Sequence, residues 1–150
     1  MKPKTIFLET TVIPAVRSIG EITGMLAEAG ATSINQQFDN RRITGLSFSI
    51  QTAHGPAYFQ IPARTAAVQK KLREQLGPRT RKTDAELAVT AERIAWRQLA
   101  VWCKAQLAII DLGMVQTEEV FLPYLIGAAG RTVWEDFSRQ KALPAPGGGR

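Results

Sequence analysis

Apolar and polar residues alternate with period two along one part of the chain and recur at helical spacing along several others. Ile43 to Gln51 alternates most regularly, with Leu46, Phe48 and Ile50 on one side and Ser47 and Ser49 on the other. That pattern predicts a strand with one buried face. After the turn Ala53-His54-Gly55-Pro56, Tyr58 to Ile61 completes a hairpin, with Phe59 and Ile61 inward and Tyr58 and Gln60 outward. Ala31 to Phe38 reads as the strand before it, joined through Asp39-Asn40-Arg41-Arg42, because Asp and Asn tolerate turn dihedrals. Thr5 to Ile13 is rich in β-branched residues and reads as a further strand ending at Pro14. It would set Ile6 and Leu8 against one side of a sheet and Phe7, Glu9 and Thr11 against the other.

Helical spacing appears at Ile19, Ile22, Leu26 and Ala29. Ser18-Ile19-Gly20-Glu21 has the form of a capping box, and Gly30 supplies a left-handed stop, so the predicted helix is Ile19 to Ala29. Arg64 to Leu76 carries Ala67, Val68, Leu72 and Leu76 on one stripe and ends at Gly77-Pro78. A second capping box, Thr83-Asp84-Ala85-Glu86, opens the longest element, Asp84 to Leu112, which Gly113 stops. From Ile94 onward this helix is apolar nearly all round, so it is either central in the core or shared with a second copy of the chain. Its polar positions Glu86, Arg93, Arg97, Lys104 and Asp111 fall within roughly 40° of one another at 100° per residue. Thr117 to Leu122 suggests one helical turn, Gly127 to Gly130 a loop, and Arg131 to Phe137 a short element of either type.

These elements predict one α+β domain over residues 1–137. It is a small antiparallel sheet of about four strands packed on helices, in the order strand, helix, three strands, helix, long helix. Residues 138–150 include Pro144, Pro146 and Gly147-Gly148-Gly149 and read as a flexible tail.

Charge narrows the function. The 150 residues include 19 Lys and Arg against 13 Asp and Glu, a net charge of +6. The excess concentrates between positions 70 and 82, where Lys70, Lys71, Arg73, Arg79, Arg81 and Lys82 face a single acid, Glu74. Arg41 and Arg42 add two charges at a hairpin tip. A dense positive run on a small domain attracts phosphates. The outward aromatics Phe7 and Tyr58 could stack on unpaired bases beside it. One cysteine, Cys103, permits no internal disulfide, and the basic start reaches Glu9 too soon for a signal sequence, so a reducing cytoplasm is expected.

Catalytic chemistry finds little support. His54 is the sole histidine and sits in a turn without a partner implied by spacing. One His and one Cys make a poor zinc site. Cys103 lies among apolar helical neighbours, where a thiol is structural. The carboxylate pairs Asp84 with Glu86 and Glu118 with Glu119 stand at helix starts, where negative charge complements the dipole. No metal, cofactor or catalytic group is assigned.

Thr10-Thr11-Val12-Ile13-Pro14-Ala15, Leu26-Ala27-Glu28-Ala29-Gly30-Ala31, Ala95-Trp96-Arg97, Ala105-Gln106-Leu107-Ala108 and Val120-Phe121-Leu122-Pro123-Tyr124-Leu125 resemble a group of small uncharacterised bacteriophage and prophage proteins. That resemblance implies an accessory protein in a bacterial cytoplasm. The strand-helix-strand-strand start is similar to the RNA-recognition fold, but Arg42 to Phe48 lacks that family's aromatic signature.

The reading is therefore a non-enzymatic nucleic-acid-binding protein favouring single strands, with Phe7, Arg41, Arg42, Tyr58, Lys70, Lys71, Arg73, Arg79, Arg81 and Lys82 as its contacts. Two alternatives stand beside it. One is an accessory protein that sequesters an anionic nucleotide or blocks a host protein. The other is a subunit that oligomerises through the Asp84 to Leu112 helix. No membrane partner is expected.

Overall fold

The computed structural model describes residues 5–140 and 143–147. It is an α+β fold in which one antiparallel sheet and a long helix share a core. Helix α1 spans Ala15–Glu28, strands β1 Ser33–Asp39, β2 Arg42–Thr52 and β3 Gly55–Pro62 form the sheet, and helices α2 Thr65–Leu76 and α3 Asp84–Asp111 follow. Helix α4, Thr117–Phe121, continues into a 3-10 turn at Leu122–Tyr124, and α5 spans Val133–Gln140.

The sheet has three strands rather than about four, in the order β1-β2-β3. Its register matches the alternation. Phe48 pairs with Ile34 on one side and Phe59 on the other, and Ser49 pairs with Ser33 and Tyr58. Asn40 and Arg41 close the first hairpin with φ of 49° and 67°. Positive φ at both central residues is the turn whose twist suits a two-residue hairpin. A bulge between Gln37 and Phe38 lies opposite Gly45, where a Cβ would stand 2.9 Å from the Ile61 carbonyl oxygen and 3.2 Å from Gln37 Oε1.

Thr5 to Ile13 is not a strand. The segment makes two successive turns, with Glu9 N–H donating to Ile6 O at 3.1 Å and Thr11 N–H to Leu8 O at 3.0 Å. The edge of β3 is met by a later part of the chain. Ile126 N–H donates to Tyr58 O at 2.8 Å, and Leu125 bridges Phe59. β-Branched composition expresses a preference for a pleated, half-buried surface, and by itself it does not make a strand. Ile6 instead packs with Val68, Leu72, Leu87, Ala91 and Ile94.

Helix α1 begins four residues before the predicted start. Pro14 caps it with extended dihedrals, and its carbonyl accepts from Arg17 and Ser18 N–H. Ser18 is thus inside the helix and buried, its Oγ without a partner, so the first capping box does not form. The stop is as expected: Gly30 has φ of 103° and Ala31 N–H donates to Leu26 O at 3.0 Å. The second capping box forms in full, with Glu86 N–H donating to Thr83 Oγ1 at 3.2 Å and Thr83 N–H to Glu86 Oε2 at 3.3 Å.

Helix α3 is central. Its 28 residues extend roughly 42 Å at 1.5 Å per residue. Trp96, Ala100 and Cys103 join Phe48, Phe59 and Phe121 in the main core, while Leu87, Ala91 and Ile94 join α2 in a second, smaller one. Trp96 is buried and Trp102 half-buried, its ring meeting Phe121 edge-on at 5.6 Å. Helix α5 resolves the uncertain segment and runs past residue 137. Another Thr/Glu box, Thr132 with Glu135, starts it. The predicted tail lies partly outside the described residues.

Candidate nucleic-acid interface

The basic run divides between a helix and a pinned loop. Gly77, with φ of 72°, ends α2, and its N–H donates to Arg73 O at 3.0 Å. Across the loop, Arg73 forms an ion pair with Asp84, the first residue of α3. Lys71 pairs with Glu74 at 3.7 Å. Among the described residues, Lys70, Arg79, Arg81 and Lys82 are exposed and have no carboxylate partner. The loop is held at both ends while its cations stay free.

The other expected contacts do not assemble with it. Arg42 is taken by Glu92, with Nη1 2.8 Å from Oε1. Arg41 is exposed, unpaired among the described residues, and on the hairpin turn. Phe7 is exposed but is not a sheet residue, and its carbonyl accepts from Gln98 Nε2 at 2.7 Å. Tyr58 is 59% exposed. Its neighbours Phe59 and Ile61 face the core containing Trp96, so Tyr58 lies on the sheet face turned away from α3, whereas α2 packs on α3. Phe7, Tyr58 and the basic loop therefore do not form one stacking track.

That outer sheet face carries hydrogen bonds of its own, with Gln37 Oε1 left buried and without a partner. Ser33 and Ser49 hydroxyls lie 2.6 Å apart, Thr32 Oγ1 is 2.9 Å from Ser49 Oγ, and Gln37 Nε2 donates to Ser47 Oγ at 2.8 Å.

Two groupings join residues far apart in sequence. His54 Nδ1 lies 2.6 Å from Glu118 Oε2, tying the β2–β3 turn to α4. Hydrogen bonding from His54 holds the Glu118 carboxyl below its ordinary value. The neighbouring Thr52 hydroxyl is committed, donating to Gly55 O at 2.7 Å. Cys103 offers no nucleophile, because burial pushes its thiol up to about 12. No group of three or more His, Cys, Asp or Glu among the described residues could hold a metal ion.

The second grouping is a cavity of about 370 Å³ between the end of β3, the start of α2 and the middle of α3. Arg64, Val68, Gln98, Trp102 and Tyr124 are among its lining residues. A smaller cavity of about 110 Å³ adjoins it through Arg64 and Tyr124 and reaches Trp134. Arg64 is placed by the short link from Pro62 to Thr65, with Ala63 N–H donating to Thr44 O at 2.8 Å. Sequence gives no signal for this site, since Arg64 looks like any solvated helix start.

No known protein family, curated protein or solved structure matches the chain. No helix among the described residues is long and apolar enough to cross a membrane.

Proposed function

We propose that this chain is a non-enzymatic, phage-type nucleic-acid-binding protein that holds the phosphate backbone on the loop between α2 and α3. The observation that carries the reading is the set Lys70, Arg79, Arg81 and Lys82, four exposed cations without a carboxylate partner among the described residues, next to two cations that are paired. Like charges gathered on a short loop repel one another, and phosphates relieve that repulsion. Arg73–Asp84 joins the last turn of α2 to the first residue of α3 and so brings the two ends of the loop together.

Fluorescence anisotropy with a labelled oligonucleotide tests it. With three to four phosphate contacts, affinity should fall roughly 20- to 150-fold between about 50 and 200 mM salt. Replacing Arg79, Arg81 and Lys82 with Ala should weaken binding to all sequences alike and reduce the salt slope by about 0.7–0.9 per lost contact. No binding at low salt, or binding indifferent to salt, overturns the reading.

A further inference from the structure

We propose that the Arg64 cavity is a nucleotide subsite, taking one planar base against Trp102 and Tyr124 with its phosphate on the Arg64 guanidinium. The inference stands apart from the basic loop and does not need it. Three observations converge on it.

The first is charge. Arg64 is exposed and has no carboxylate partner among the described residues, and no acid lines the larger cavity. Arg64 also stands at the N-cap of α2, which has no side-chain cap and no acidic residue in its first turn. A cation there adds to the positive end of the helix dipole instead of offsetting it. Glu135 lines the adjoining smaller cavity with Arg64, but its carboxylate accepts from Thr132 N–H and Oγ1 and forms no ion pair with Arg64, so the guanidinium keeps its planar fork for a phosphate.

The second is the aromatic wall. Trp102 and Tyr124 both line the cavity and both remain partly exposed. Their centroids are 5.8 Å apart and their planes 75° apart. Two rings so arranged cannot both stack on one flat ligand. One supplies a face and the other meets the ligand's rim, which fixes its orientation as well as its plane. Gln98, whose Nε2 is held by Phe7 O, leaves its amide oxygen to accept from an exocyclic amino group.

The third is size. About 370 Å³ lies within the ~300–1,000 Å³ of small-ligand sites, and the adjoining cavity of about 110 Å³ lengthens the cleft past Arg64. A nucleotide suits the combination of an apolar slot and a single cation at its mouth. A bare phosphate leaves the aromatic wall unused, and a neutral ring leaves Arg64 unused.

The same chemistry is offered by a free nucleotide and by one unstacked nucleotide of a strand, and titration distinguishes them. Tryptophan fluorescence of the full chain is followed against adenosine 5′-monophosphate, cytidine 5′-monophosphate, adenosine, inorganic phosphate and a short single-stranded oligonucleotide. Saturable quenching by a monophosphate, with adenosine and phosphate each at least about tenfold weaker, supports the site with a free nucleotide as its source. Quenching by the oligonucleotide alone, lost in Arg64→Ala, supports it with a strand as its source. Arg64→Ala should weaken either ligand by roughly 10- to 100-fold, the range for a charge-assisted contact, and leave the melting temperature unchanged because the side chain is exposed. Trp102→Phe should keep binding and lose most of the quenching. Replacing Arg79, Arg81 and Lys82 with Ala should leave monophosphate binding intact, so failure of the loop and failure of this site are read separately. Adenosine binding as well as its monophosphate, an Arg64→Ala variant that binds normally, or no quenching by any of the ligands overturns the proposal.

Discussion

Arg41 holds a conformation that its side chain does not favour. At φ of 67° it fills the second central position of the β1–β2 turn, where glycine is the usual occupant. Asn40, at φ of 49°, suits its position because a short polar side chain tolerates that region. An arginine there costs about 1–2 kcal/mol relative to a right-handed conformation. Unlike Arg42, it has no acid partner among the described residues to offset the cost. Arg41→Gly should therefore raise stability by about 0.5–1 kcal/mol in denaturant melts, part of the gain being lost to glycine's freer unfolded chain. If Arg41 also touches phosphate, the same substitution lowers oligonucleotide affinity, so stability and binding move in opposite directions. A drop in stability would show that the guanidinium has a structural role. The turn itself was legible from Asp39-Asn40-Arg41-Arg42. The status of each arginine was not, because pairing depends on Glu92, which lies 50 residues away in the chain.

At the scale of elements, local chemistry and long-range pairing differ in how far sequence reveals them. The β2 alternation and the Thr83/Glu86 box predicted their elements because each is settled among near neighbours. The Thr132/Glu135 box was equally readable and would have assigned α5. Thr5 to Ile13 failed because β-branched composition does not choose between joining a sheet and packing elsewhere, and Ile6 packs on the α2–α3 grouping. The His54–Glu118 pair shows the same limit, since 64 residues separate the partners. Its consequence is a pH dependence whose sign is set. Glu118 titrates below its ordinary value of 4.5 in the fold, so the pair's contribution is fully present above that value. It fades as pH falls through the lower folded value, because the unfolded chain then binds protons more readily. Thermal melts between about pH 3 and 6 should show Glu118→Gln losing stability less steeply on acidification than the parent protein. Parallel curves would mean that the contact does not form in solution. Since His54 is largely exposed, the effect should shrink in added salt.

Across the whole molecule, α3 supports two hydrophobic groupings that share no buried residue. The larger holds the sheet and α1 through Trp96, Ala100 and Cys103, and the smaller holds α2 through Leu87, Ala91 and Ile94. The central position of the long helix was one of two outcomes its all-round apolar surface allowed, but this division was not visible, because stripes of similar residues meet different partners along one axis. Leu72 is the only residue of α2 that is buried. Such a minor grouping can open as a cooperative unit while the rest stays folded. Backbone amides of Thr65–Leu76 should thus exchange with deuterium sooner than those of β2, and an oligonucleotide bound at the loop should slow them selectively. Exchange of α2 and β2 as one unit would mean that the two groupings behave as a single core. Lys70 lies on this helix, Arg64 stands at its start, and the loop that carries Arg79, Arg81 and Lys82 follows its end. A ligand at either place would act as a clasp, converting a breathing flap into a fixed part of the protein.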